Sequence, residues 1–355
     1  MRYKLYTKTE KAWDAMFHTI KRARHSIFLE MYIFSDDTNY DFINLLKQKS
    51  QEGVRVKMIL NSFKSISFLT PATLEKLQSA GVEILFFKDL LRYTHRKILI
   101  VDKKIAFVGG INIYNFFKKW DDLQIKLDGR IVTRILSSFA KVYRLSSGKD
   151  VDVLKYEKEH YKDNKGKFGF IEHIPPKDSF TLSKYYKDKI EFAKKSILIT
   201  TPYFMPRGWI RRSLIRASKR GVKIDFIIPQ DATSPKLANL PNYLYMRKLH
   251  KYGINFFLVG DMVHSKMMLV DGVEGILGSQ NIDILSFDFN MESGIFFSDK
   301  KIMKELTDIA EVWKSNSVMY ETSMGNHILF DYFLDICFSL FEYIIRAFNR
   351  FTRAF

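Results

Sequence analysis

Two stretches of the chain carry one chemical pattern, His-x-Lys and, after four further residues, Asp: His95, Lys97 and Asp102, then His264, Lys266 and Asp271. Each continues to a Gly-Gly or Gly-Ser pair and an asparagine: Gly109, Gly110 and Asn112, then Gly278, Ser279 and Asn281. On an extended strand, residues two apart face the same side, so each His projects together with its Lys. Imidazole is a nucleophile or proton carrier near neutral pH. Lysine offers a fixed positive charge to a phosphate oxygen, and an asparagine amide adds a hydrogen bond to developing negative charge. One such strand would read as a core histidine. Two place an imidazole on each side of a phosphorus, the arrangement for a two-step in-line displacement in which one His attacks and the other protonates the leaving oxygen. The lysines and asparagines neutralise the phosphate, so neither step calls for a metal, and no cofactor is expected.

The elements that position these residues also occur twice. RARHSIFLEMYIF (22–34) matches FAKKSILITTPYF (192–204), and GVRVKMIL from Gly53 matches GVKIDFIIP from Gly221. SAGVEILFFKD from Ser79 matches KYGINFFLVGD from Lys251, and THRKILIVDKKIAFVGGINI from Thr94 matches HSKMMLVDGVEGILGSQNID from His264. The distance from Gly53 to His95 is 42 residues, and from Gly221 to His264 it is 43. Four matched blocks in one order at one spacing make the chain two homologous halves.

Short runs such as SIFLEMYIF, VRVKMIL, VEILFF and ILIVD, rich in branched residues, read as strands buried on both faces. Helical patterns at Phe42–Glu52 and Thr73–Ala80 lie between them, the second closed by Gly81. The expected fold is α/β: two repeats, each a mixed, mostly parallel sheet flanked by helices, packed with pseudo-twofold symmetry around one active site. The expected segments are a first repeat at 1–150, a linker at 151–168 containing the polar stretch 156–167, a second repeat at 169–318, and an amphipathic C-terminal helix at 319–355.

On these residues the chain resembles the phospholipase D superfamily, defined by paired His-x-Lys-x4-Asp motifs, and within it the bacterial cardiolipin synthase branch. Trp120-Asp121-Asp122 ahead of KLDG, the TPYFMP block from Thr201 to Pro206 and SFDFNME ending at Glu292 add to the likeness, which covers most of residues 10–315. The resemblance implies a phosphohistidine intermediate, with His95 as nucleophile and His264 as general acid and base, although the near-symmetry also allows the reverse. Lys97, Lys266, Asn112 and Asn281 would hold the phosphate. Asp122 lies 27 residues after His95 and Glu292 lies 28 after His264, a matching offset that suggests each carboxylate orients a catalytic imidazolium. Asp102 and Asp271 belong to the motif and are placed among the catalytic residues, with a turn-fixing role as the alternative. Leu285 stands where the branch usually has Arg, and the paired N-terminal membrane helices of many relatives do not appear. The implied reaction is phosphatidyl transfer giving cardiolipin from phosphatidylglycerol and a second phospholipid, with phospholipase D hydrolysis or a metal-independent nuclease as alternatives.

The bulk numbers fit this. A formal charge of +18 and a pI near 9.6 attract polyanions, either an anionic membrane face or nucleic acid. Anionic phospholipid is the expected partner and nucleic acid the second. The single cysteine, Cys337, excludes an intramolecular disulfide and a two-Cys metal site. No signal peptide and no confident membrane span is read, so the expected location is peripheral, on the cytoplasmic side of the inner membrane, and otherwise cytoplasmic. From His327 to Phe355, Asp331, Asp335, Glu342, Arg346, Arg350 and Arg353 recur at helical spacing as one narrow polar stripe. That leaves a broad apolar face either to pack in the core or a dimer, or to lie in a membrane surface with Phe348, Phe351 and Phe355 as anchors. Between Arg207 and Lys223 there are seven basic residues and no acid, which reads as a solvated face or a lipid-docking one. The sequence sets no oligomeric state.

Overall fold

The structure, a computed structural model, describes residues 1–65, 68–89, 92–158, 167–175, 181–231, 239–321 and 328–353. The first half supplies strands β1 (Tyr3–Lys8), β2 (Ser26–Met31), β3 (Arg55–Asn61), β4 (Glu83–Phe87), β5 (Lys97–Val101), β6 (Ile105–Gly109) and β7 (Asp121–Asp128). The second supplies β8 (Phe168–His173), β9 (Ser196–Thr200), β10 (Lys223–Pro229), β11 (Asn255–Val259), β12 (Met267–Val270), β13 (Glu274–Gly278), β14 (Glu292–Phe297) and β15 (Ser317–Met319). The sheet orders are β1-β7-β6-β5-β2-β3-β4 and β15-β11-β10-β9-β12-β13-β14-β8. Replacing each first-half strand by its counterpart seven places on reproduces the second order, with β15 added at the edge. The repeat read from sequence is therefore a repeat of topology.

The sheets are mixed, but the expectation of mostly parallel pairing is corrected. Only β2–β3 and β3–β4 are parallel in the first sheet, and only β9–β10 and β10–β11 in the second. Parallel neighbours need a long crossover, which the helices Phe42–Gln51 and Gly208–Lys219 provide. The motif segments instead turn back within a few residues, β5 into β6 and β12 into β13, and only antiparallel strands accept so short a connection.

Both faces of each sheet are buried, which is why the strands read as continuous apolar runs. On β5, Ile98 and Ile100 face a core shared with Met267, Leu269 and Leu277 of the other half. Leu99 and Val101 face the outer layer, with Trp13 and Met16 of the helix Thr9–Lys21. The shared core thus glues the two sheets face to face. Glu30 and Arg96 form a fully buried ion pair at 3.1 Å on this inner side. At the matching positions the second half has Thr200 and Ser265, whose hydroxyls hydrogen-bond at 2.9 Å. Two chemically different pairs fill one site of the fold.

In the segment expected as linker, a short helix (Val151–Leu154) and a 3₁₀ turn (Lys155–Lys158) precede residues 159–166, which lie outside the described ones. The C-terminal helix runs Ile328–Arg353. Leu334 is buried and Phe338 packs beside it against the second half's outer core, while Asp335 pairs with Lys248 of the helix Leu240–His250. Beyond these contacts Tyr332, Phe333, Ile336, Leu340, Phe341, Tyr343 and Ile344 are between 46 and 71% exposed. His327 and Phe355 lie outside the described residues, as do the side chains of Phe348 and Phe351. No helix among the described residues is long and apolar enough to cross a membrane.

Candidate active site

His95 sits two residues before its strand begins at Lys97 and His264 three before its strand begins at Met267, and each is stitched to the opposite half. His95 N donates to Met291 O at 3.0 Å, and Met291 N returns a bond to Tyr93 O at 2.8 Å. On the other side, His264 N donates to Asp121 O at 2.6 Å, and Asp121 N to Met262 O at 3.0 Å. The residue after each acceptor is a carboxylate: Glu292 after Met291, Asp122 after Asp121. His95 Nδ1 accordingly lies 3.0 and 3.2 Å from the two Glu292 oxygens, and His264 Nδ1 lies 2.7 Å from Asp122 Oδ2. Each carboxylate meets an imidazole across the pseudo-twofold, contacting the histidine of the other half.

This pairing sets the tautomer. A carboxylate at Nδ1 requires a proton there, so the lone pair of each neutral ring is on Nε2. Burial pushes the His95 imidazole below its ordinary pKa despite Glu292, and holds His264 at about 3, with the Lys266 charge adding to the effect and Asp122 opposing it. Burial alone would raise Glu292; His95, Lys97 and the Ser279 hydroxyl outweigh it and leave the carboxyl at about 2. Both lysines are fully buried, and each Nζ bonds the backbone carbonyl of its own motif histidine. Burial drives Lys97 well down and brings Lys266 to about 8, partly offset by Asp122 and Glu292 and, at Lys266, by Asp283 as well. Each lysine's charge is felt by both histidines, so the four groups form one cluster.

The histidines open onto one cleft of about 830 Å³, also lined by Asn112 and Asn281. Asn112 Oδ1 accepts from Ile33 N at 3.1 Å, which leaves its NH₂ group for the cleft. The Asn281 side chain bonds Asp283, another cleft residue, whose buried carboxyl rises to about 6 against the pull of Ser286. The wall beside His264 is aromatic: Trp120 at 5.2 Å and Phe117 at 6.5 Å between ring centroids, with Phe116 exposed at the mouth. Leu285, at the position where the branch usually has Arg, lies at the edge of the same cleft.

Asp102 and Asp271 are not in this group, and their placement among the catalytic residues is corrected. They occupy the far ends of β5 and β12, in tight turns where Asp102 and Lys103 have φ of 51° and 57°, and Asp271 and Gly272 have 55° and 70°. Each carboxylate accepts three backbone N–H groups, from residues 24–26 and from 194–196, at 2.7 to 3.2 Å. They fix the hairpin and tie it to the start of the neighbouring strand.

Three residues in and around the cleft have no role assigned from the sequence. Tyr32 sets its ring edge-on to His95 at 4.7 Å and under Lys97 Nζ at 5.0 Å. Tyr203 faces His264 at 6.4 Å. Ser279 donates to Glu292, whereas its counterpart Gly110 leaves no room, since a Cβ there would lie 2.3 Å from Asp122 Oδ1. Of the seven basic residues from Arg207 to Lys223, five are held internally, Arg207 by Asp288 and Arg216 by Glu191 among them. That leaves Arg212 and Lys219 for any other partner.

The family's sequence model, described as cardiolipin synthase, PLD-like domain, matches residues 16–142 and 186–313, one copy in each half. The chain belongs to this family. A Clostridium perfringens cardiolipin synthase is 28% identical over 328 residues, which cover 86% of this chain and 68% of that protein. A Bacillus subtilis relative, named a probable cardiolipin synthase, is 28% identical over 324 residues, or 85% of this chain and 64% of its own length. The chain thus spans about two thirds of these curated relatives. Among solved structures, the phosphatidylserine synthase of Haemophilus influenzae superposes with a TM-score of 0.75, covering 97% of this chain and 93% of that one at 13% identity, a likeness of fold.

Proposed function

We propose that the chain is a phosphatidyltransferase acting through a phosphohistidine, forming cardiolipin from phosphatidylglycerol and a second phospholipid. The observation that carries this is the crossed pair of buried His–carboxylate couples opening on one cleft, within a family of cardiolipin synthases. His95 Nε2 attacks the phosphorus, the P–O bond to the headgroup glycerol breaks, and His264 delivers the proton to that oxygen. A glycerol hydroxyl of the second lipid then loses its proton to His264 and displaces the phosphorus from His95. Lys97, Lys266, Asn112 and Asn281 hold the phosphate oxygens, and the substrate anion stabilises the imidazolium that burial otherwise disfavours. The aromatic wall suits an acyl-bearing substrate better than a nucleic acid backbone.

Attachment to a membrane surface belongs to the same proposal. The exposed apolar residues of the helix Ile328–Arg353, with Arg346, Arg350 and Arg353 later in its sequence, suit an interfacial helix on anionic lipid. The reading is tested by quenching the protein during turnover of phosphatidylglycerol and mapping adducts by peptide mass spectrometry. A phosphatidyl group on the His95 peptide with free glycerol is expected. An adduct on His264 would reverse the assignment, and lipid turnover with neither histidine modified would overturn the covalent route.

A further inference from the structure

A second cavity, of about 540 Å³, lies at the seam of the two halves and away from the cleft. Its position follows from the strands. β7 begins at the Asp121-Asp122 pair and ends at Asp128, directly before Gly129 and Arg130 of the cavity rim. β14 begins at Glu292, paired with His173, and ends beside Phe168, so the cavity occupies the opposite end of both strands that carry the histidine partners.

The walls are apolar, made by Ile131, Phe168, Phe170 and Phe296, with the Phe296 ring lying over Gly169. The rim is cationic: Arg130, Arg134 and Lys167. Lys167 is 3.4 Å from Asp299, the one acid there, which also caps the helix Lys300–Ser315 through Lys301 N and Ile302 N. The guanidinium groups of Arg130 and Arg134 take no hydrogen bond or ion pair among the described residues. Guanidinium groups with unused donors beside a pocket of aromatic rings match a molecule carrying a phosphate at one end and hydrocarbon at the other. A free phosphate would leave the rings unused, and a neutral lipid would leave the arginines unused.

We propose that this seam cavity is a second, non-catalytic binding site for one chain and the phosphate of an anionic phospholipid. The inference does not depend on what the cleft does. The test is photo-labelling with a monomeric short-chain phosphatidylglycerol bearing a diazirine in one chain, followed by peptide mapping. Labelling is expected on residues 130–134 and 168–170 as a set separate from any cleft adduct. Arg130→Glu with Arg134→Glu should lower seam labelling tenfold or more, and Arg130→Gln with Arg134→Gln should lower it by less, with both variants keeping the wild-type thermal transition. A phosphatidylcholine probe with the same chains, whose choline cation offsets the phosphate charge, should label the seam less than phosphatidylglycerol. Three results would overturn the proposal: no seam adducts, seam adducts unchanged by charge reversal, or labelling abolished by inorganic phosphate alone as effectively as by short-chain phosphatidylglycerol.

Discussion

His95 Nδ1 stands 3.0 Å from Oε1 of Glu292, a residue 197 positions further along the chain and in the other half of the molecule. With the reciprocal His264–Asp122 contact at 2.7 Å, it makes each His–carboxylate couple a composite of both repeats. Neither half holds a complete His–carboxylate couple of its own.

The crossing has a spectroscopic signature. Glu292→Gln removes the negative charge and one of the two acceptor oxygens that favour the Nδ1–H tautomer of His95, so ¹⁵N imidazole shifts of His95 should change while those of His264 stay. Asp122→Asn should do the reverse. Loss of a carboxylate that orients a catalytic histidine has cost up to about 10⁴-fold in kcat elsewhere, and a fall of about 10²-fold or more with little change in KM is expected here. If Glu292→Gln shifted His264 instead, the pairing would be wrong.

The motif aspartates should behave as fold residues. Asp102→Ala abandons three backbone N–H groups and puts alanine at positive φ, a loss of about 2 kcal/mol or more. Asp102→Asn, which tolerates that conformation, should cost less. Burial raises the Asp102 carboxyl, but the bonds from Ser26, His25 and Arg24 outweigh it and hold it below the usual range. Its stabilisation is therefore fully present above the unfolded carboxylate value of about 3.9 and lost as pH falls through the lower native one. Denaturation midpoints together with kcat of the folded fraction check this: the midpoint should fall and kcat should hold.

Lys266, brought to about 8, sets an alkaline limit. Its charge is present below that pH and lost above it, so kcat/KM should decline through about pH 8. The limb in kcat should lie higher, because bound phosphate favours the charged lysine. Lys266→Arg, charged throughout, should lower the rate and change the alkaline limb, leaving only what Lys97, also driven down by burial, contributes. A limb unchanged in that variant would assign it to another group.

The helix 328–353 is the proposed surface anchor. Ile336→Asp with Leu340→Asp, both on exposed positions, should reduce partitioning to phosphatidylglycerol vesicles by tenfold or more and leave the thermal transition unchanged. Unchanged partitioning, with a wild-type dimer dissociating in the variant, would assign the face to a second copy of the chain.

Much of this was legible in the sequence, for identifiable reasons. A repeat of strands forces a repeat of positions, so His95 and His264 with their lysines and asparagines fell out of the matched blocks, and Asp122 and Glu292 followed from their offsets of 27 and 28 residues. The crossing did not, because an offset along the chain says nothing about which imidazole lies across the interface; that is decided by the Thr94–Met291 and Asp121–Val263 bridges between halves. Tyr32 and Tyr203 fall one position apart when the repeats are aligned, so the comparison that found the histidines passed over them. The turn role of Asp271 did have a signal: Asp-Gly between two apolar runs is a hairpin turn, and that chemistry also argues for an antiparallel sheet around the motif.

The most direct test of the central claim is mass spectrometry of lipids after the purified protein meets phosphatidylglycerol vesicles, beside His95→Ala and His264→Ala. The account predicts cardiolipin and free glycerol from the wild type and neither from the variants. Phosphatidic acid without cardiolipin would contradict transfer and leave hydrolysis. Untouched lipid, with single-stranded or duplex DNA cut instead, would contradict the phosphatidyltransferase reading altogether.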